Sequence, residues 1–200
     1  MVNLEKRGFF ICVEGLDGCG KTTQTRRLVE RLRQKGYDAI YTTEPTNGDI
    51  GKFIRKHCLY GRKRLPSVVE ALLFAADRFE HIERIVAPGL DKGCLVISDR
   101  YVYSSLAYQG AAGLNLSWIE KINEHVISPE LAIFIDVEPE TAVQRLKVDR
   151  SVMENLETQQ KVREVYLKFV EKDELVKIDG NQTRQEVAED ILKVVLKFLA

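Results

Sequence analysis

The sequence predicts an α/β fold in which helices cover a parallel β-sheet. Two observations support this class: five short apolar segments are spaced along the chain, and helical hydrophobic patterns fill the intervals between them. Strands that alternate with helices are typical of parallel sheets, because the chain needs a crossover between neighbouring strands. The predicted strands are residues 9–13, 39–41, 94–98, 131–137 and 175–178.

Length and composition favour one domain that spans residues 1–200. With 44% hydrophobic residues the 200-residue chain can bury one core, and no linker-like segment divides it. The chain has 30 basic and 30 acidic residues, so its formal net charge is zero and no global field attracts nucleic acid or membrane. We therefore expect neither as a partner, and we expect local cations to hold any bound anion.

Cysteine usage and the N-terminus favour a cytoplasmic protein. The four cysteines lack CxxC spacing and two of them lie in apolar strand-like segments, which is typical of reduced thiols rather than disulfides or zinc ligands. The N-terminal sequence MVNLEKRGFF lacks a signal-length apolar stretch, and no segment approaches the roughly 18 apolar residues of a membrane span.

A phosphate-binding loop follows the first predicted strand. The sequence GLDGCGKT matches the pattern GxxxxGK[ST], and an amphipathic helix is predicted directly after it. Glycines let successive backbone N–H groups turn toward an anion, and the helix adds the positive end of its dipole. Lys21 is expected to reach the β- and γ-phosphates of a nucleoside triphosphate, and the Thr22 hydroxyl to bind Mg²⁺. The residues predicted to bind the triphosphate are Gly15, Leu16, Asp17, Gly18, Cys19, Gly20, Lys21 and Thr22.

A carboxylate and a guanidinium follow the third predicted strand. Asp99 and Arg100 come directly after the residues LVIS, and sheets of this kind bind ligands at the carboxyl ends of their strands. Asp99 is predicted to orient Mg²⁺ through water, and Arg100 to hold phosphate oxygens. The alternative is that Asp99 caps the next helix and Arg100 merely pairs with it.

Four separated segments together make the chain resemble the thymidylate kinases. They are GLDGCGKTTQ, Glu44 with Pro45, LLFAADRFEH from Leu72, and SDRYVYSSLAYQG from Ser98. The resemblance implies a P-loop nucleoside monophosphate kinase fold, with a five-stranded parallel sheet and a short lid at about residues 145–155. It also implies transfer of the γ-phosphoryl group of ATP to dTMP with Mg²⁺, giving dTDP, by a homodimer packed through helices.

The resemblance assigns roles to residues that would hold the base and sugar of dTMP. In similar enzymes the equivalent of Asp17 receives the deoxyribose 3′-hydroxyl, that of Phe74 covers the thymine ring, and that of Arg78 reaches thymine O4. Phe74 and Arg78 are four residues apart, so they share one face of a helix predicted from residue 67 to about residue 87. An arginine at O4 would reject dCMP, which presents an amino donor there. Ordinary core packing is the alternative for Phe74.

Three further residues match positions that surround the base and sugar in similar enzymes: Ser105, Tyr108 and Gln109. The tyrosine ring is expected to fill the space that a ribose 2′-hydroxyl needs, so deoxynucleotides would be preferred. Tyr108 and Gln109 stay open to a second interpretation, as plain helix residues that face the core and the solvent.

The predicted catalytic cations are Lys21, Arg100 and one cation from the lid. Similar enzymes supply the third cation either from the loop position after the aspartate, which is Gly18 here, or from the lid. The lid segment RLKVDRS then has to supply it. Its candidates are Arg145, Lys147 and Arg150, of which Arg150 is favoured. No protein base is needed, because the acceptor phosphate is largely a dianion at neutral pH.

Two positions depart from the pattern of similar sequences. Thr43 precedes Glu44 and Pro45 where many of them carry arginine, and Met153 stands near a lid position that is often aromatic. Arg55, on the helix after Glu44 and Pro45, is a further candidate for the acceptor site.

Two other classes of function share the phosphate-binding loop. A deoxynucleoside kinase has to deprotonate a 5′-hydroxyl, and Glu44 is the candidate base for that reaction. A GTPase switch, or a nucleotide-binding module without transfer chemistry, would share Lys21 and Thr22. No NKxD guanine motif follows any predicted strand, which disfavours the GTPase. Asp99 and Arg100 disfavour a module without transfer chemistry.

Overall fold

A five-stranded parallel β-sheet lies at the centre of the protein. The computed structural model describes residues 8–60, 65–146 and 155–200. The strands are β1 Phe9–Gly15, β2 Ala39–Thr43, β3 Leu95–Asp99, β4 Leu131–Asp136 and β5 Val176–Asp179. They pair in the order β2-β3-β1-β4-β5, and every pair is parallel. The predicted α/β fold with a five-stranded parallel sheet is confirmed.

Helices occupy the intervals between the strands. Within the described ranges the α-helices are α1 Lys21–Gln34, α2 Asp49–Ile54, α3 Ser67–His81, α4 Ala87–Asp91, α5 Val102–Ala111, α6 Leu116–Ile122, α7 Pro139–Gln144, α8 Leu156–Glu171 and α9 Arg184–Leu199. Two π-helical segments, Arg55–Leu59 and Ile82–Val86, continue α2 and α3.

The helix predicted for residues 67 to about 87 is α-helical only as far as His81. The π-helical segment Ile82–Val86 follows it, and α4 continues the chain to Asp91. Pro88 explains the change, because proline has no N–H to donate and its ring clashes with the carbonyl four residues earlier. A widened turn before the proline accommodates both effects.

Helices cover both faces of the sheet. β3 and β4 are buried along their full length, and β1 is buried at all but its first residue. This burial explains why the central strands read as continuous apolar runs rather than as alternating patterns. Around the sheet, α1 packs beside α9, and α5 packs beside α8.

The register of the strands brings the predicted site together at one edge of the sheet. Val13 of β1 and Thr43 of β2 both lie beside Asp99 of β3. Gly15, which begins the phosphate-binding loop, lies beside Ile135 of β4. Since the strands are parallel, their carboxyl ends share this edge, and it is the edge where such sheets bind ligands.

The cysteines are unpaired in the described part of the chain. Cys12, Cys19 and Cys58 are buried and Cys94 is half-buried, and all four are free thiols. Over the ranges that the structure describes, no helix combines the length and the apolar character that a membrane span requires.

Candidate active site

The phosphate-binding loop connects β1 to α1. Gly18 and Gly20 have φ angles of 84° and 99°, a region that residues with a Cβ rarely adopt. A Cβ at Gly18 would also lie 2.2 Å from the carbonyl oxygen of Ala142 in α7. The Lys21 Nζ donates to the Leu16 carbonyl at 2.6 Å, which holds the ammonium against the loop. The loop therefore combines glycine-dependent backbone geometry with a cation, as anion binding requires.

Thr22 and Asp99 present oxygen atoms at the start of α1. The Thr22 hydroxyl donates to Asp99 Oδ2 at 2.5 Å. Asp99 does not cap α5, because Glu14 does so: its Oε1 accepts from the backbone N–H groups of Tyr101 at 2.8 Å and Ser104 at 3.3 Å. The carboxylate of Asp99 is thus directed to the phosphate-binding loop.

Glu14 is a buried carboxylate that the sequence analysis did not single out. Its Oε2 accepts from the hydroxyls of Ser104 at 2.6 Å and Tyr166 at 2.9 Å. Burial raises the pKa of Glu14 above its usual value, and these hydrogen bonds oppose the shift only in part. An acidic residue at the end of an otherwise apolar strand was the available signal, because a buried carboxylate needs partners. Glu14 ties α5 and α8 to β1.

Asp17 and Arg100 join the phosphate-binding loop to the segment before α5. The Arg100 Nη2 donates to Asp17 Oδ1. Tyr108 of α5 donates to Asp17 Oδ2 at 2.8 Å, and Gln159 of α8 donates to it at 3.3 Å. Burial alone would raise the pKa of Asp17, but the charges of Arg100 and Lys21 together with the hydrogen bonds from Tyr108 and Gln159 outweigh burial, so the pKa falls below its usual value. Asp17 is therefore an anion in the folded protein.

Arg100 occupies an unusual backbone conformation. Its φ angle is 74°, which is uncommon for a residue with a side chain, and such residues are frequent at functional sites. Its N–H donates to the Val13 carbonyl at 3.0 Å. The guanidinium donates to Ser104 Oγ at 2.9 Å and lies 5.0 Å from the centre of the Tyr108 ring. Burial lowers the pKa of Arg100, but its neighbours Tyr108, Asp17, Tyr166 and Asp99 together raise it more, so this cation stays charged.

A cavity of about 230 Å³ opens beside the loop, between α3 and α5. The residues predicted to hold the acceptor all line it: Asp17, Phe74, Arg78, Arg100, Ser105, Tyr108 and Gln109. The other lining residues are Glu44, Pro45, Arg55, Leu59, Tyr60 and Ser104. The fold thus brings side chains from the loop and from both helices together around one cavity.

Buried hydrogen bonds fix the position of Arg78. The side chains of Arg78 and Glu44 are only 1% and 3% exposed. Arg78 Nε and Nη2 donate to Glu44 Oε2 at 3.0 Å and 2.7 Å, and Nη1 donates to Asn123 Oδ1 at 2.7 Å. Nη2 also contacts the Tyr101 carbonyl at 3.2 Å and Ser105 Oγ at 3.0 Å. One N–H on Nη1 has no partner among the described residues.

Glu44 and His81 form a second buried contact, which the sequence analysis missed. Glu44 Oε1 lies 2.9 Å from His81 Nδ1, and His81 Nε2 lies 2.6 Å from Thr42 Oγ1. The sequence signal was the spacing of Arg78 and His81, which are three residues apart and share a helix face.

Two other residues from the sequence analysis lie near Glu44. Arg55 lines the cavity, and its guanidinium donates to the carbonyls of Pro45 and Thr46. Thr43 donates from Oγ1 to the Asp99 carbonyl at 3.1 Å. Both side chains thus bond to the backbone around the acceptor cavity.

The predicted lid falls largely outside the described residues. Lys147, Arg150 and Met153 belong to residues 147–154, which are not among them. Arg145 directly follows α7 and is exposed. The assignment of the lid cation therefore stays a prediction.

Comparisons with known proteins agree with one another. The profile of the thymidylate kinase family matches residues 13–191. A "Probable thymidylate kinase" of Pyrococcus abyssi (strain GE5 / Orsay) is 43% identical over 197 residues, which cover 94% of this chain and 96% of that protein. A "Probable thymidylate kinase" of Pyrococcus horikoshii is 41% identical with the same coverage. The "Thymidylate kinase" of Caldanaerobacter subterraneus subsp. tengcongensis is 39% identical over 202 residues, which cover 96% of this chain and 97% of that protein. This chain belongs to the thymidylate kinase family.

Proposed function

We propose that this chain transfers the γ-phosphoryl group of ATP to the 5′-phosphate of dTMP, giving dTDP and ADP in dTTP synthesis. Family membership across most of the chain supports this activity. The observation that carries it is the bond between Arg100, in the wall of the cavity, and Asp17 of the phosphate-binding loop. A monophosphate in the cavity and a triphosphate on the loop would meet beside the same guanidinium.

ATP is the phosphoryl donor, and the loop of residues 15–22 is its proposed phosphate site. Backbone N–H groups and the N-terminus of α1 favour an anion there, and α1 has no acidic residue in its first turn to oppose one. The Lys21 ammonium, which bonds the Leu16 carbonyl, would contact the β- and γ-phosphates when ATP binds.

Arg78 is the proposed reader of the base. Its remaining Nη1 N–H would donate to thymine O4, while the other hydrogen bonds fix the plane of the guanidinium. The amino group of cytosine would place a donor against this donor, so dCMP would bind poorly. Phe74 would cover the thymine ring, and Ser105 and Gln109 would complete the wall around it.

Asp17 and Tyr108 are the proposed contacts of the sugar. The Asp17 carboxylate would accept a hydrogen bond from the deoxyribose 3′-hydroxyl. Tyr108 is held by its bond to Asp17, and its ring would occupy the space that a 2′-hydroxyl needs. Deoxynucleotides are therefore the preferred acceptors.

The chemistry requires positioning and charge neutralisation rather than a base. The dTMP phosphate has a second pKa of about 6, so its oxygen is already a nucleophile at neutral pH. A bond forms from that oxygen to the γ-phosphorus while the bond to the bridging oxygen breaks, and ADP leaves. Lys21 and Arg100 would neutralise the charge that develops between the two nucleotides.

A deoxynucleoside kinase is disfavoured by the surroundings of Glu44. Its Oε2 accepts two hydrogen bonds from Arg78, and its Oε1 contacts His81. Both oxygens of this carboxylate hold Arg78 and His81 in place, so its contacts favour a structural role over that of a base for a 5′-hydroxyl.

The side chains of Thr22, in the first turn of α1, and Asp99, at the end of β3, meet at a place that suits Mg²⁺. Thr22 and Asp99 present a hydroxyl and a carboxylate, which are the oxygen ligands that Mg²⁺ prefers. We propose that Thr22 ligates the cation and that Asp99 orients its water. When bound, Mg²⁺ neutralises charge on the β- and γ-phosphate oxygens.

The third catalytic cation belongs to the lid in this proposal. A Cβ at Gly18 would lie 2.2 Å from the Ala142 carbonyl, so the loop has no space for a long basic side chain unless α7 moves. This packing supports a cation from another segment, for which Arg150 is the candidate. The proposal treats residues 1–200 as one kinase domain with a lid at about residues 145–155.

A homodimer that packs through α3 completes the proposal. Exposed side chains of Val69, Leu72, Ala76 and Phe79 recur at alternating three- and four-residue spacing, so they form an apolar stripe along α3. Exposed apolar stripes mark interaction surfaces, and a twofold axis would let two copies cover the same stripe. Leu72→Glu should convert the dimer to a monomer in light scattering, whereas an unchanged mass would exclude this interface.

The proposed compartment is the cytoplasm. The four free thiols agree with a reducing environment. Fractionation of the source cells, with a cytoplasmic marker followed alongside this chain, tests the proposal.

A coupled assay with Mg-ATP tests the activity. The acceptors are dTMP, dUMP, dCMP, dGMP and thymidine at matched concentrations. We expect the highest rate with dTMP, a lower rate with dUMP and little activity with the others. Phosphorylation of thymidine without phosphorylation of dTMP would overturn the proposal in favour of a deoxynucleoside kinase.

A further inference from the structure

We propose that His81 is a positioning residue for base recognition: it acts through Glu44 to hold Arg78 in the orientation that reads thymine O4. This inference rests on the proposed function, in which Arg78 contacts the base. It assigns a role to a buried histidine that has no part in the phosphoryl transfer itself.

A continuous chain of buried hydrogen bonds links His81 to Arg78. His81 Nδ1 lies 2.9 Å from Glu44 Oε1, and Glu44 Oε2 accepts from Arg78 Nε and Nη2. At the other end, His81 Nε2 lies 2.6 Å from Thr42 Oγ1. When Nδ1–H donates to the carboxylate, Nε2 is free to accept from the threonine hydroxyl, so one tautomer satisfies both contacts.

The position of Glu44 depends on donors at both of its oxygens. Arg78 bonds only Oε2, which leaves the carboxylate free to turn unless a second donor holds Oε1. His81 is that donor, and its own side chain is fully buried. A buried carboxylate oxygen without a donor carries a large cost, so removal of the imidazole would make Glu44 turn toward another partner. The guanidinium of Arg78, which bonds Glu44, would then lose its orientation as well.

Arg78 has no comparable anchor elsewhere among the described residues. Its other hydrogen-bond partners are the neutral oxygens of Asn123, Ser105 and the Tyr101 carbonyl, and its guanidinium lies 5.2 Å from the centre of the Tyr101 ring. Glu44 alone among these partners carries a negative charge, so only its bonds add direct Coulomb attraction between opposite charges. The orientation of the guanidinium is therefore set mainly by Glu44.

His81 has no route of its own to the acceptor. The side chains that line the acceptor cavity do not include it, and it lines instead a separate groove with Tyr41, Thr43 and Gly48. The ring of His81 also lies 6.5 Å from that of Tyr101, but this edge contact carries no hydrogen bond. We therefore assign the effect of His81 on the choice of base to its contact with Glu44.

The experiment compares His81→Leu with His81→Asn. Leucine removes both ring nitrogens, whereas the asparagine amide can donate from near the position of Nδ1. For His81→Leu we expect the KM for dTMP to rise, and the preference for dTMP over dCMP in kcat/KM to fall, by about 10- to 100-fold, the worth of one hydrogen bond to a charged group. The KM for ATP should stay unchanged, and His81→Asn should restore most of the preference. His125→Leu, at an exposed histidine, is the matched control and should behave as wild type.

A double-mutant cycle separates positioning from a general structural role. In a Glu44→Gln background the route from His81 to Arg78 is already weakened, so His81→Leu should cost much less dTMP preference than in wild type. An equal cost in both backgrounds would overturn the inference. So would an unchanged preference in a folded His81→Leu variant.

A folding failure of His81→Leu does not end the test. His81→Gln then replaces it, because its amide reaches the position of Nε2 rather than that of Nδ1. Asparagine should keep the preference for dTMP and glutamine should lose it, whereas equal preference in both variants would overturn the inference. Wild type is assayed first: absence of dTMP kinase activity would refute the proposed function, while activity with unaffected His81 variants would refute this inference alone.

Discussion

Replacement of Arg100 by methionine tests the contact that joins the two halves of the site. Methionine keeps much of the side-chain volume but removes the donors to Asp17 and Ser104 and the charge beside Tyr108. The backbone of the phosphate-binding loop and Lys21 stay in place. We therefore expect kcat to fall strongly while the KM for ATP changes little.

The structure bounds the size of each effect. Removal of one preorganised donor to a transition state typically lowers kcat by about 100- to 1000-fold, and Arg100 is such a donor here. The side chains of Arg100 and Asp17 are 17% and 22% exposed, so the pair is intermediate between a surface pair and a buried one. Surface pairs contribute about 0–1 kcal/mol and breaking a buried pair costs about 3–5 kcal/mol, so we expect a loss of about 1–2 kcal/mol in the free energy of unfolding.

Steady-state kinetics with both substrates, together with denaturant unfolding, measure these changes. Arg163→Met is the matched control, because Arg163 is 23% exposed and pairs with Asp136 and Glu138, which do not line the acceptor cavity. The control should lose similar stability and keep its kcat. Equal losses of kcat in both variants, or an unchanged kcat in Arg100→Met, would refute the reasoning.

Three further predictions follow from single contacts. Tyr108→Phe removes the hydroxyl that bonds Asp17 at 2.8 Å but keeps the ring. The KM for dTMP should therefore rise, while the enzyme should still prefer dTMP to ribothymidine 5′-monophosphate in kcat/KM. Loss of that preference would contradict the role of the ring. Gly18→Ala should lower the midpoint of thermal unfolding more than Gly20→Ala does, although φ is positive at both positions. A Cβ at Gly18 would lie 2.2 Å from the Ala142 carbonyl oxygen, whereas one at Gly20 would have nothing within 4 Å. Equal midpoints for the two variants would contradict this packing. The folded-state pKa of Asp17 is lowered, so the stabilising contribution of its carboxylate is present above the usual carboxyl pKa of about 4 and is lost as the pH falls through the folded pKa. The difference in unfolding free energy between wild type and Asp17→Asn should therefore shrink in acid. A difference that does not depend on pH would contradict the assigned cause.

The fold was predictable because its signals are local. Each central strand is a continuous buried apolar run, and the glycine loop has a recognisable pattern between a strand and a helix. The strand ends were less predictable. β1 includes Glu14 and β3 includes Asp99, because polar residues at the carboxyl edge end the apolar pattern without ending the strand. The helix after Ser67 changes to a π-helical segment because of Pro88, whose effect appears several residues before the proline itself.

The site was predictable only where the contacting residues are close together along the chain or belong to a motif that similar enzymes share. Arg78 was identified, but its partners Glu44 and Asn123 lie 34 and 45 residues away along the chain. Gln159 reaches Asp17 across 142 residues. No local pattern encodes such pairs, since the packing of α3 against α6 and of α8 against α5 decides them. The sequence therefore predicted the residues that line the cavity better than the residues that hold those side chains in place.

The most direct test of the central claim is a crystal structure with dTMP and a non-hydrolysable ATP analogue bound together with Mg²⁺. We predict that the dTMP phosphate lies beside Arg100 and faces the terminal phosphate of the analogue, with thymine O4 at Arg78 Nη1. A dTMP phosphate that is remote from the terminal phosphate, or a thymine ring bound away from Arg78, would contradict the account.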